Sequence, residues 1–545
     1  MKKNNILKLF AAAVVSAPIL TGCIEETFPE SGSATSEQIG ASATALEASV
    51  NGIPSQMVQA YLVGKGTRLN ETDLAYPGLM LVQSNLLGDI VPADYGYNWW
   101  WSYNGDYNMG DNTYYSYLPW FTCYQFIKSA NDVIASVDVN AEGISSEMKG
   151  YAGIAYASRA FAYYHLMLLY EPMENIYTDC SNVLGLTAPI VRETTTNDEA
   201  KNNPRATHDE MVAFILSDLN IAEDAFANFT PADKTFPSLA AVYGLKARVY
   251  MWDEDYANAA DYARRAIDAC GGQPMTASEW LDPNTAFNTA TSGWMWYLHP
   301  TPDNMGNLAN FTGHIASEAG WGYSDLYKPM INRSLYDAIS YTDFRKQAWL
   351  DPDRSAFDYQ LLRTDADWHS SAPDYLSMKF RCNAGNTGQY TIGAEVDIPV
   401  MRVEEMYLIE AEAIGASQGV AAGVARLNSF MQAYRQQDYN FNTSDLRTFQ
   451  LEVLKQMRIE FWGEGVAFPA AKRLKPDIIQ NYDGTNYRDD HLKINTRGGK
   501  PNWTLVIPYQ EVDANVALQG NNNPDPTAAI PVRPTPIGEF AAGNN

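Results

Sequence analysis

Two apolar stripes follow one another over residues 237–270 with almost nothing between them. Leu239, Val242, Leu245, Val249 and Met251 recur mostly three or four residues apart, and Ala259, Tyr262, Ala263 and Ala266 then do the same, which is the period of two amphipathic helices. Trp252-Asp253-Glu254-Asp255 leaves room only for a tight turn, so the helices must lie antiparallel. Tyr250, Tyr256, Ala259 and Ala266 fall near tetratricopeptide intervals, the alanines letting one helix approach the other and the tyrosines filling the gaps. A pair of this kind cannot bury its apolar face alone, so it is expected to be one unit of a helical stack.

The same period predicts helices over 36–63, where Pro54 marks a kink or break, and over 148–170, 208–226, 402–416, 419–434 and 448–465. Within 148–170, Ile154, Ala157, Phe161, Tyr164 and Leu168 share a stripe, and His165 beside it reads as a satisfied core residue, because no second ligand stands at a metal-binding spacing. The expected class is mainly α. No linker divides the 545 residues, so 37–545 is expected to form one domain.

Two stretches break the pattern. Over 94–124, rings from Tyr95 to Trp120 alternate with Asn, Gly and Asp, a density of turn residues that argues for a loop and against a long helix through its centre. Over 271–399, Gly, Asn, Asp and Pro replace periodicity, with Trp280, Trp294, Trp296, Trp321, Tyr323 and Trp368 set among Asn304, Asn307, Asn310 and His314. So long an irregular insertion is usually functional, and its shared composition suggests that it meets the first loop across one site. Trp99, Trp100 and Trp101 cannot all enter one core. An exposed indole stacks on the CH face of a sugar ring while Asn, Asp and Tyr groups bond its hydroxyl edge. Packing of the loops onto the body is the competing reading of the same rings.

Composition narrows the partners. A formal charge of −26, with no clustered Lys and Arg, counts against nucleic acid and anionic lipid as direct partners. Lys2 and Lys3, an apolar run over 6–20 and then Leu20-Thr21-Gly22-Cys23 read as an export signal over 1–22 whose end resembles a bacterial lipobox, making Cys23 the acylated first residue. The acidic, Ser- and Gly-containing 23–36 reads as a tether. Cys123, Cys180, Cys270 and Cys382 contain no CxxC pair and are too spread for a disulfide framework, which leaves a single bridge and buried thiols both open.

A secreted glycoside hydrolase would share the aromatic clefts but needs two carboxylates at a fixed separation. Glu460 and Glu464 lie a turn apart, and Glu404, Glu405, Glu410 and Glu412 crowd another helix, yet they read as capping or solvated charges. No nucleophile elbow, zinc helix, Walker loop or dinucleotide fingerprint occurs, and Asp106 to Asp111 lacks the terminal Glu of a calcium loop. No catalytic residue, metal or cofactor is therefore expected. A pure protein-interaction scaffold is the other rival.

Arg159-Ala160-Phe161-Ala162-Tyr163-Tyr164 precedes Gly185-Leu186-Thr187-Ala188-Pro189; the hairpin carries Ala247-Arg248-Val249-Tyr250; then come Met401-Arg402-Val403-Glu404-Glu405, Arg458-Ile459-Glu460-Phe461-Trp462-Gly463-Glu464-Gly465, and Ile507-Pro508 through Asn515 to Asn523-Pro524. With these five patterns in order behind the lipobox-like segment, the chain resembles the SusD/RagB family, nutrient-binding outer-membrane lipoproteins. The chain departs where Ala467 and Ala470-Ala471 stand for an Arg and an Asp-Leu pair, and in a loosened closing motif over 519–525. The resemblance implies a SusD-like helical body with tetratricopeptide-like pairs and long aromatic-rich loops. It also implies capture of a glycan without turnover at the outer membrane and delivery to a SusC-like TonB-dependent transporter. The alternatives are a peptide or other small nutrient as ligand, or the hydrolase. The ligand face falls on 94–124 and 271–399, where Trp99, Trp100, Trp101, Tyr103, Asn104, Trp296, Trp321 and Tyr323 are the residues expected to touch ligand.

Overall fold

In the computed structural model, residues 39–64, 70–93, 100–104, 108–359, 363, 366–489 and 493–529 are described. The expected leader, Cys23 and the tether lie outside the described residues. The main helices are α1 (Ala43–Met57), α2 (Tyr76–Leu87), α3 (Tyr114–Ile134), α4 (Ser146–Tyr170), α5 (His208–Phe226), α6 (Leu239–Trp252), α7 (Tyr256–Cys270), α8 (Val403–Ser417), α9 (Val420–Tyr434), α10 (Leu446–Glu460) and α11 (Phe468–Leu474), with shorter helical turns and two-stranded ribbons between them. The fold is mainly α. Among the described residues no helix is long and apolar enough to cross a membrane.

Polar caps set the helix starts. Ser145, Thr207, Ser238 and Asp255 each accept a backbone N–H from the first turns of α4, α5, α6 and α7, and Thr207 with Glu210 completes a capping box. From α3 to α9 each helix packs on its successor, so the α6/α7 hairpin is the middle of a continuous stack. Ala259, Ala263 and Ala266 are fully buried where α7 meets its neighbours. A side chain at Gly423 of α9 would stand 2.6 Å from the Gly415 Cα of α8, so glycine at both positions sets how closely this pair approaches.

Arginines and carboxylates lock the end of the stack. Glu460, fully buried at the end of α10, accepts from Arg345 Nη1 at 3.0 Å, Arg402 Nη1 at 3.1 Å and Arg435 Nε at 2.7 Å. Glu464 accepts from Arg402 Nε at 2.9 Å and Lys379 Nζ at 2.6 Å. Burial alone would push the Glu460 carboxyl up, but Arg435, Arg402 and Arg345 together hold it well below the usual carboxylate range. The expectation of solvated or capping charges at Glu404, Glu405, Glu410, Glu412, Glu460 and Glu464 is corrected here: all six are buried. A charge in a core persists only when paired, and each has an arginine partner.

Three element boundaries differ from expectation. The first long helix begins at Ala43, where the Ser42 side chain accepts the Ala45 N–H, and it runs through Pro54 to Met57. The 94–124 loop ends early: Thr113 caps α3, so Tyr114, Tyr115, Tyr117 and Trp120 sit on a helix. The segment after Trp503, whose Pro and Asn content predicts coil, contains a short helix, Tyr509–Ala514. The four cysteines within the described residues are free and buried.

Candidate functional site

Two ribbons bring the irregular segments together. Trp294–Leu298 pairs antiparallel with Ile398–Arg402 and closes the long insertion at its base, with Leu298 opposite Ile398. Ile90–Pro92 pairs antiparallel with Pro329–Ile331, so the chain entering the first aromatic loop is hydrogen-bonded to the insertion. Just beyond this ribbon the Ala93 N–H donates to the Tyr327 carbonyl at 2.8 Å.

His314 is the joint between the two segments. The Trp100 indole N–H donates to its Nδ1 at 2.9 Å, and its Nε2 lies 3.0 Å from the Glu71 carbonyl. An acceptor at Nδ1 leaves the proton on Nε2, which donates to Glu71. Trp100 meets the imidazole edge-on at 5.5 Å, Tyr323 lies at 5.3 Å, and the Tyr327 hydroxyl donates to the His314 carbonyl. Complete burial holds the ring neutral, its pKa lowered to about 4.

Above this joint three stretches converge. Tyr61 follows α1 in the left-handed region at φ +57°, an uncommon conformation for a bulky residue. It is held there from both sides. Its N–H donates to the Asp73 carbonyl at 2.8 Å, and the buried Asp73 carboxylate accepts from the Val63 and Gly64 N–H groups at 2.9 and 2.8 Å. The Tyr61 hydroxyl is pushed up by burial first and then by Glu71, Tyr323, Asp73 and Tyr390, which lie within electrostatic reach of it. Trp321 lies against the 383–393 loop, whose Thr387 carbonyl accepts the Gly320 N–H at 3.0 Å. A side chain at Gly393 would come within 2.4 Å of the indole, so the loop lies flush on the ring only because that residue is glycine. Tyr61, Glu71, Trp321 and Tyr390 are all half-buried, while Leu326 and Ile392 nearby in sequence are exposed. Arg363 pairs with Asp325 at 2.7 Å and lies over Trp368. A surface of half-exposed rings with amide, carboxylate and guanidinium groups beside it fits the CH face and hydroxyl edge of a sugar.

The residues expected from sequence separate into distinct roles. Trp100 and Tyr103 are 1% exposed, and Tyr323 is also buried. They are corrected from ligand contacts to supports, since no sugar reaches a covered ring. Trp296 is corrected likewise: it packs edge-on against Phe161 and gives its indole N–H to the Thr235 carbonyl at 3.0 Å. Asn104 is half-exposed but spends its side-chain oxygen on Gln480 Nε2 at 2.7 Å and Lys500 Nζ at 2.9 Å. Trp101 opens the 3-10 turn Trp101–Asn104, and Trp99 lies outside the described residues. Trp321 stands on the converging surface. Tyr61, Glu71 and Tyr390 were not singled out by sequence. Only Tyr390 had a signal, a ring closing the Asn-, Gly- and Gln-rich run 383–390. Among the described residues no group of three or more His, Cys, Asp or Glu is placed to hold a metal ion.

Comparison with known proteins bears on the same regions. A SusD-like family model described as "Starch-binding associating with outer membrane" matches 78–251, and the SusD family model, SusD_RagB, matches 359–524. A SusD-like protein of Formosa agariphila is 22% identical over 445 residues, 76% of this chain and 82% of that one. Among solved structures, a SusD-like carbohydrate binding protein from Bacteroides vulgatus superposes with a TM-score of 0.69 at 21% identity, covering 88% of this chain and 98% of that one. A SusD superfamily protein from Bacteroides thetaiotaomicron superposes at 0.66 with 20% identity, covering 89% and 100%.

Proposed function

The chain belongs to the SusD/RagB family, and from that premise we propose that it is an outer-membrane nutrient-binding lipoprotein that captures a glycan on the face around Tyr61, Trp321 and Tyr390. The observation that carries this reading is the convergence of these half-buried rings with Glu71 over the buried Trp100–His314 joint. A rigid support beneath exposed rings lowers the ordering cost of binding. The starch-binding description of the first family model and the carbohydrate-binding relative from Bacteroides vulgatus support a glycan as the ligand class. Trp99 and Trp101, expected from sequence to touch ligand, stay among the proposed contacts. The carboxylates crowded on α8 and α10 are consumed by arginines, which favours binding without turnover. Acylation at Cys23 would hold the protein on the membrane, and the helical stack offers a face for a SusC-like TonB-dependent transporter that receives the nutrient.

Native affinity electrophoresis of residues 24–545 through gels containing a panel of polysaccharides tests the reading, with Trp321→Ala and Tyr390→Ala run alongside. Retardation by one polysaccharide, weakened in both variants, is the expected result. Uniform mobility across the panel moves the ligand to peptides or another small nutrient. Release of reducing ends on incubation with the retarding polysaccharide would instead make the protein a hydrolase.

A further inference from the structure

A second feature lies away from the loop face, in the middle of the helical body. Where α2, α4, α6 and α8 meet the chain leading into α11, packing leaves a cavity whose wall includes Tyr76, Gln83, Tyr164, His165 and Arg248. His165 is 4% exposed, and its Nδ1 stands 2.8 Å from the Gln83 side-chain nitrogen, which donates to it. The imidazole proton therefore sits on Nε2, and burial together with the Arg248 charge keeps the ring neutral, its pKa lowered to about 3. Among the described residues Nε2 has no hydrogen-bond partner. The Tyr76 and Tyr164 rings stand edge-on to the imidazole, each at 5.7 Å. Arg248 is committed elsewhere, with Nε and Nη2 on Glu405 at 2.7 and 2.6 Å.

A buried donor without an acceptor is costly, so a native fold satisfies it. Size decides what does so. The cavity gives about 40 Å³ to the centres of water-sized molecules, and one water needs about 10–15 Å³ on that measure. This admits about three waters. We propose that the cavity is a binding site for a small cluster of ordered water, one molecule of which accepts from His165 Nε2–H. The site is independent of the glycan face, and the cluster extends the direct Gln83–His165 bond between α2 and α4 into the cavity.

Two measurements on the chain from residue 24 onward test this. In crystals diffracting well enough to show ordered solvent, a peak within hydrogen-bond distance of His165 Nε2 is expected, with further peaks in the same cavity. With 15N-histidine labelling, the His165 signals, assigned by their loss in His165→Gln, should report the Nε2-protonated tautomer with Nε2–H exchanging magnetisation with water. Absence of density beside Nε2, density for a larger molecule, or an Nδ1-protonated ring would each overturn the proposal.

Discussion

Single side chains in this protein divide between those that touch solvent over the loop face and those that hold them in place. Trp321 and Tyr390 belong to the first group, and truncating a central aromatic anchor typically costs more than 1 kcal/mol. Trp321→Ala and Tyr390→Ala are therefore expected to weaken glycan binding by about tenfold or more, measured by calorimetric titration, with the thermal midpoint little changed. Trp296→Phe should do the reverse. It removes an N–H that pairs inside the body, so stability falls and affinity stays the same. Trp100→Phe leaves His314 Nδ1 buried without its donor. The expected loss is about 1–3 kcal/mol of unfolding free energy, read from urea denaturation, and a wild-type midpoint would show that the joint does not support the loop. These roles were only partly legible in the sequence. Ring content and Asn/Gly density pointed to the right two segments, but composition carries no burial, so Trp100, Tyr103 and Trp296 looked the same as Trp321. Tyr61 had no signal, because its left-handed backbone is imposed by Asp73, a residue twelve positions away.

Helices and ribbons were more readable where a cap and a stripe agree. The expected 208–226 helix coincides with α5 because Thr207 and Glu210 form a capping box just ahead of the apolar period. The start of α3 is hidden in the sequence because Thr113 sits among turn residues, which give the rings after it the composition of a loop. The pairing of Ile90–Pro92 with Pro329–Ile331 links strands too short and too far apart in sequence to show any pattern. At this scale the buried ion cluster joining α8, α9 and α10 makes a clear prediction. Glu460→Gln leaves three arginines with a neutral partner, and breaking a buried pair in this way costs about 3–5 kcal/mol. A variant as stable as the parent would show the cluster to be neutral in the balance. The two buried histidines give the pH dependence. His165 and His314 stay neutral in the fold down to about 3 and about 4. In the unfolded chain they take up protons near an ordinary value of about 6.5. The unfolded state thus binds more protons between these limits, so stability is expected to fall as pH drops from about 6.5 towards 4. Thermal melts across that range should show the decline, with a shallower slope in a His165→Gln, His314→Gln double variant.

On the scale of the whole molecule, a stack of helices forms the body while two ribbons and one buried histidine gather distant loops onto a single face. The sequence conveyed the stack, since periodicity and small residues at helix contacts are local properties. It conveyed the face only as composition, because convergence depends on pairings across 200 residues and more, such as Trp100 with His314. The central claim is that nutrient meets the loop face and leaves the stack untouched. Amide hydrogen exchange on residues 24–545, with and without a saturating amount of the polysaccharide that retards the protein, measures this most directly. Slower exchange confined to peptides from 58–73, 94–104, 311–327 and 383–393 is the predicted result. Protection along α4 to α7 with those four stretches unchanged would contradict the account and place the ligand on the helical body.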